Sequence, residues 1–269
     1  MKKPLALAAL FSVLALPAFG AGLPNSKAAP QYAPPQPAFS WSGFYLGGNA
    51  GVSAGNFNTT DQFGVYGIGD RYTADSRGFS GGGQVGYNYQ LPGSNYVVGI
   101  EADFQGSTLQ GNYDITQTSE GGWQDGAKVN WWGTVRGRAG YAVGNVLPFV
   151  TGGLAYGHVT TSGSCWTAGI WPFSCDQSQG SASGTHVGWT AGAGLEYAIA
   201  RQLTLKVEYL YTDLGAVSTP NYYLDATFGG PISSPGDDMR TSTAFSTLRV
   251  GVNYKFDVLA MPSAMCCRL

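Results

Sequence analysis

Eight separate stretches of this chain place apolar residues on every second position and keep the alternation for about ten residues or more. They cover approximately 41–53, 77–90, 95–107, 127–142, 147–160, 185–199, 202–213 and 244–256. The last is strict: in LRVGVNYKF, Leu248, Val250, Val252, Tyr254 and Phe256 share one face, and Arg249, Gly251, Asn253 and Lys255 share the other. A period of two held for this long is a strand signal, and a helix cannot produce it. Ten tilted residues are also about what a strand needs to cross a bilayer.

Three further runs are as clear. Tyr96, Val98, Ile100, Ala102 and Phe104 oppose Val97, Gly99, Glu101, Asp103 and Gln105. Val129, Trp131, Val135, Ala139 and Tyr141 oppose Asn130, Trp132, Thr134, Arg136 and Arg138. Leu203, Leu205, Val207, Tyr209 and Tyr211 oppose Thr204, Lys206, Glu208 and Thr212.

The breaks between runs alternate in length. LPGS, VGN and AR are short turns, whereas 54–76, 108–126, 161–184 and 214–243 are long and polar. Short turns at one end and long loops at the other define an expectation: an all-β, eight-stranded antiparallel transmembrane β-barrel with short periplasmic turns and four long extracellular loops. An even strand number brings both barrel termini to the short-turn side.

The competing fold is a soluble eight-stranded barrel of the lipocalin type, which would bury its apolar face inward and show a charged exterior. Only 11% of residues are charged, against roughly 25% in soluble domains. Aromatic residues gather near strand ends, and Trp41, Tyr45, Tyr87, Tyr89, Tyr96, Tyr141, Tyr197, Tyr209, Tyr211, Tyr254 and Phe256 are expected to form interfacial girdles. Both observations favour the membrane. A net charge of −2 gives no reason to expect a nucleic-acid partner.

In the clear runs the apolar face carries no charge, and the polar face carries Glu101, Asp103, Arg136, Arg138, Glu196, Lys206, Glu208, Arg249 and Lys255. The interior of an eight-stranded barrel is only just wide enough for side chains. Charges confined there must pair, so these residues are expected to form a salt-bridged lumen network that largely plugs the barrel. The alternative is that they line a thin conducting path. Gly43, Gly47, Gly51, Gly82, Gly86, Gly188, Gly192 and Gly194 share the inward parity and leave room for long side chains.

The N-terminus, MKKPLALAALFSVLALPAFGAG, combines Lys2 and Lys3 with an apolar run from Leu5 to Leu16 and the small-residue site Ala18-Phe19-Gly20. This reads as a signal peptide over 1–20, with an uncleaved anchor as the alternative. Residues 21–40 contain five prolines and read as an extended periplasmic linker. The barrel is expected over 41–256, followed by a tail over 257–269.

Cys165 and Cys175 fall in the third long loop, and since an exported protein can keep a disulfide, one is expected there, pinning the loop. His158 and His186 flank that loop but fall on opposite faces, which argues against a metal site, and no cofactor is expected. No nucleophile–base pair stands out, so the chain does not read as an enzyme. Trp166, Trp171 and Phe173 supply aromatic loop residues for a third reading, in which the loops hold haem or a host ligand. The expected partners are outer-membrane lipid and lipopolysaccharide.

WSGFYLGGNAGVSAG, PFVTGGLAYG, GWTAGAGLEYAIA and LRVGVNYKF, taken in order, resemble the small outer-membrane β-barrel family of alphaproteobacterial surface antigens, often labelled porin-like. Its architecture is related to the OmpA-like transmembrane domain. The resemblance implies an abundant protein of the outer membrane of Gram-negative cells, linked with envelope integrity and surface exposure. It also implies that Arg249, Gly251, Tyr254 and Phe256 form the final-strand signal read by the barrel assembly machinery. The family usually ends at that Phe, whereas this chain continues through DVLAMPSAMCCRL. A tolerated periplasmic tail, a lineage-specific extension and a gene-end artefact all remain open.

Overall fold

A computed structural model describes residues 39–60, 71–118, 121–167, 179–220, 223–225, 230–232 and 238–256. The chain forms β1 (Gly43–Thr60), β2 (Arg71–Gln90), β3 (Tyr96–Thr118), β4 (Gly121–Tyr141), β5 (Val146–Thr167), β6 (Gln179–Ala200), β7 (Leu203–Pro220), β8 (Tyr223–Asp225), β9 (Gly230–Ile232) and β10 (Asp238–Phe256). Seven consecutive strands pair with their sequence neighbours, and β10 pairs with both β7 and β1, closing an antiparallel barrel of eight. The short strands β8 and β9 pair only with each other. Closure leaves the barrel itself no edge strand among the described residues, which is what a strand protein in lipid requires.

The barrel strands are 18 to 23 residues long. A membrane crossing needs about 9–11, so the wall continues well past the bilayer at the loop end. Much of what reads as loop in the sequence is strand here: β3 runs to Thr118 and β4 begins at Gly121. The reason is compositional. On these extensions the outer face turns polar, as at Asn56, Asn58, Thr73, Asp75, Arg77 and Gln110, while Phe57, Leu109 and Val217 turn inward, so backbone pairing persists where the apolar-out alternation has stopped.

At the other end the turns are tight. Leu91 N donates to Tyr96 O at 2.9 Å, with Gly93 in the left-handed region at φ 70°. Gly144 at φ 58° does the same work where Val143 and Val146 bridge between β4 and β5. Both positions favour glycine because a Cβ is strained at positive φ.

The outer face is apolar. Ile100, Phe104, Val135, Leu154, Leu195 and Val250 are all exposed on it. The residues between them point inward and are buried, or half-buried where they are glycine, as at Gly99, Gly153 and Gly194. Alternation therefore runs apolar-out and polar-in along β3, β7 and β10. One expectation fails at β4. Val129 shares no face with Val135; it is fully buried inside, because Asn130 is a bulge between the pairs Val129↔Val159 and Trp131↔His158. One extra residue reverses the side-chain parity beyond it.

Two aromatic assignments also change. Tyr45 and Trp41 are buried at 2% exposure, inside the barrel rather than in a girdle. Both fall on the parity of Gly43 and Gly47. Phe39 and Ser40 pack on the barrel end rather than belonging to a linker. The rings of Phe39 and Trp41 meet edge-on at 4.8 Å, and Lys255 Nζ lies 4.5 Å from the Phe39 ring centre. The expected signal peptide, the rest of the expected linker and the tail lie outside the described residues.

Candidate functional site

The interior is layered. At the turn end, Trp41, Val97, Ala142, Leu147 and Ala198 form an apolar cluster, with Phe39 packed against it. Farther toward the loops, Phe57, Leu109, Val129, Trp132, Leu210, Leu214 and Phe245 belong to a second one. Between them lies a layer of charge.

Glu101 and Asp103 on β3, Arg136 and Arg138 on β4, Glu196 on β6, Lys206 and Glu208 on β7 and Arg249 on β10 are each no more than 5% exposed. Alternation brings them inward and the register brings them level: Glu101 faces Arg136 across β3 and β4, and Glu208 faces Arg249 across β7 and β10. Arg136 is the hub. Its guanidinium donates to Glu101, to Asp103 Oδ2 at 3.0 Å and to Glu208 Oε1 at 2.7 Å, and Thr134 accepts from its Nε at 2.8 Å. Arg249 donates to Glu208 Oε2 at 2.8 Å and to Asp103 Oδ2 at 3.0 Å. Lys206 Nζ donates to both oxygens of Glu101 at 2.8 Å.

A second group hangs on Glu196. It accepts from Arg138 at 2.7 Å, Thr204 at 2.6 Å and Asn253 at 2.9 Å. Tyr45 links the groups. Its hydroxyl donates to Glu101 at 2.7 Å and accepts from Arg138 at 3.2 Å, and the Arg138 guanidinium lies 4.1 Å from the Phe149 ring centre. Four acids thus meet four bases, which is the balance that makes buried charge tolerable. Lys255 points the other way, donating to the Ser40 carbonyl at the turn-end mouth.

Glycine makes room for this. A Cβ on Gly86 would sit 2.3 Å from the Tyr45 hydroxyl, and one on Gly51 would sit 2.7 Å from Arg249 Cβ. Sequence reasoning reached the charged residues but missed Tyr45 as their linker and missed both apolar layers. Inward parity was the available signal for Tyr45, Phe57, Leu210 and Phe245.

The remaining candidates are placed as follows. Tyr254 and Phe256 project outward with rings 5.2 Å apart, whereas Arg249 and Gly251 face inward. Cys165 and Trp166 fall in β5, and Cys175, Trp171 and Phe173 lie outside the described residues, as does any pairing of the two cysteines. His158 stacks on Trp131 on the outer face at 5.9 Å, and His186 has the opposite parity. Among the described residues no group of three metal-ligating side chains comes together.

A closed antiparallel barrel with an apolar exterior and a polar, charge-paired interior is the arrangement of an outer-membrane protein. The comparisons place it further: over residues 6–256 the chain matches the outer membrane protein beta-barrel domain family, and it belongs to that family. It is 36% identical to the 31 kDa outer-membrane immunogenic protein of Brucella melitensis, over 94% of this chain and 100% of that one. It is 34% identical to the 22 kDa outer membrane protein of Rhizobium leguminosarum bv. viciae, over 84% of this chain and 83% of that one. Among solved structures, the outer membrane protease OmpT from Escherichia coli matches 82% of this chain and 99% of its own at 10% identity, with a TM-score of 0.46. The chain is an outer-membrane protein of the alphaproteobacterial type, with outer-membrane immunogenic proteins among its relatives.

Proposed function

We propose that this protein is a structural, non-enzymatic component of the outer membrane whose lumen is closed and whose loop end is displayed at the cell surface. The observation that carries this reading is the charge layer, in which Arg136 and Arg249 reach across the lumen to carboxylates on other strands. An ion entering the barrel would have to break several buried pairs at once, and then pass apolar layers on either side. The non-enzymatic reading has its own support. Each lumen carboxylate is paired with at least one cation, and His158 is stacked on Trp131 away from them.

A second reading, a low-conductance porin, draws on one observation. Asp103 Oδ1, Arg249 Nη1 and both amide atoms of Gln105 are buried without a hydrogen-bond partner. Such atoms are commonly satisfied by water, and connected water would give a thin path. Single-channel recording of the refolded barrel in a planar bilayer separates the two. Silence is expected. Steady openings that vanish on changing Arg136 or Glu208 would overturn the closed reading.

A further inference from the structure

On the outer wall, one row of side chains holds two cations that have no partner among the described residues. Register places Arg77 on β2 opposite Gln110 on β3, Gln110 opposite Lys128 on β4, and Lys128 opposite Thr160 on β5. All face outward, since their neighbours Ser76, Leu109, Ala127, Val129, Val159 and Thr161 are buried inside. Arg77 and Lys128 are exposed, and neither has an ion pair or hydrogen bond among the described residues. Two strand spacings set them roughly 10 Å apart.

The height of the row matters. Arg77 stands about ten residues above Tyr87 on β2, and Lys128 about thirteen above Tyr141 on β4. At ~3.3 Å per residue with the usual tilt this is roughly 25–35 Å, at or just beyond the upper edge of the ~25 Å apolar band. Beneath the row lies an aromatic shelf. Phe79 is 70% exposed, and Trp131 packs against Phe104 at 5.5 Å, Tyr156 at 6.3 Å and His158 at 5.9 Å. Beside it, Asn130 donates to Thr160 at 2.9 Å, leaving further polar groups at the same level. Among the described residues Asp75 is the nearby acid, and with its amide nitrogen turned toward it Asn56 donates to it at 3.2 Å.

We infer that Arg77, Gln110 and Lys128, with the Trp131 shelf below them, bind a phosphorylated glycolipid of the outer leaflet. Two cations at headgroup height, unpaired among the described residues, attract anionic headgroups. Their separation suits two phosphates at the ends of a short sugar better than the single phosphate of a glycerophospholipid. The Gln110 amide between them and the Thr160 hydroxyl beyond Lys128 suit sugar hydroxyls, and the ring faces suit the sugar and the first acyl carbons. This inference rests on the loop end facing outward, but not on whether the lumen conducts.

The test is native mass spectrometry of the full chain in detergent, titrated separately with bisphosphoryl lipid A, monophosphoryl lipid A and phosphatidylglycerol. Retention of bisphosphoryl lipid A about tenfold over phosphatidylglycerol is expected, with the monophosphoryl form between them. Arg77→Gln with Lys128→Gln should reduce that preference to within about twofold. Arg77→Lys with Lys128→Arg should keep most of it, and Arg201→Gln, at the turn end, should keep all of it. Each variant is first checked for the heat-dependent gel shift of a folded barrel, so loss of fold is told apart from loss of the site. The proposal is overturned if the double Gln variant keeps the full preference, or if wild type binds all three lipids alike.

Discussion

Arg136 Nη1 donates to Glu208 Oε1 at 2.7 Å although β4 and β7 are separated on the wall by β5 and β6. The bond therefore crosses the lumen, and it ties strands that share no backbone hydrogen bonds. Arg136→Met should leave Glu101, Asp103 and Glu208 one cation short. Breaking one side of a buried pair costs about 3–5 kcal/mol. Urea unfolding in detergent should show a loss of that size. Adding Glu208→Gln to Arg136→Met should recover part of it, because the layer is neutral again and the two residues touch. A loss from Arg136→Met below about 1 kcal/mol would mean that lumen water screens the network.

Inner and outer glycines on one strand should behave differently. On β2, a Cβ at Gly86 would meet the Tyr45 hydroxyl at 2.3 Å and Ile100 O at 2.7 Å, whereas one at Gly83 finds nothing nearer than Gly47 O at 3.7 Å. Gly86→Ala must push Tyr45 off Glu101 and should destabilise the barrel by about 1–3 kcal/mol. Gly83→Ala should change stability by less than about 0.5 kcal/mol. Equal effects from the two variants would show that the lumen yields more readily than its contacts imply.

What could be read from the sequence follows from where alternation is undisturbed. On β3, β7 and β10 no bulge interrupts the stretch holding Glu101, Asp103, Lys206, Glu208 and Arg249, so parity alone points each of them inward. Val129 was misplaced because the bulge at Asn130 leaves no trace in residue type. Tyr45 was misplaced because tyrosine suits a girdle and a buried hydrogen-bond network equally well. The loop-end strand extensions were not legible, since their outer face is polar and the apolar-out alternation that marks a membrane strand is lost there. The partners of each charge were not legible either: contacts such as Arg249 to Asp103 depend on how the closed barrel aligns distant strands.

Trp41 allows the two seals to be separated. It is 2% exposed in the turn-end cluster, and its backbone N–H donates to Gln90 Oε1 at 3.1 Å. Trp41→Ala should cost about 3–5 kcal/mol through the cavity it leaves. It should not open the barrel, because the charge layer is made by other strands. Chemical denaturation and bilayer recording on the same preparation check both halves. A destabilised but silent variant fits two independent seals, whereas steady conductance from Trp41→Ala alone would assign closure to the turn-end plug.

Phe256 ends β10 where that strand closes the barrel against β1, paired with Phe44. Its ring is half exposed to the lipid side and touches one neighbour on its own strand, Tyr254. A side chain placed like that contributes little to the finished fold, so Phe256→Ala should cost the refolded protein only about 1 kcal/mol. If Phe256 is instead read during assembly, together with Tyr254, Gly251 and Arg249, its loss should act before folding is complete. The fraction of chain reaching the heat-modifiable form in cells should then fall severalfold, far more than the stability change explains. Measuring the in-cell assembled fraction alongside in vitro unfolding separates the two. A fall in cells no larger than the in vitro loss would make Phe256 an ordinary lipid-facing ring and leave the final strand without a signal of its own.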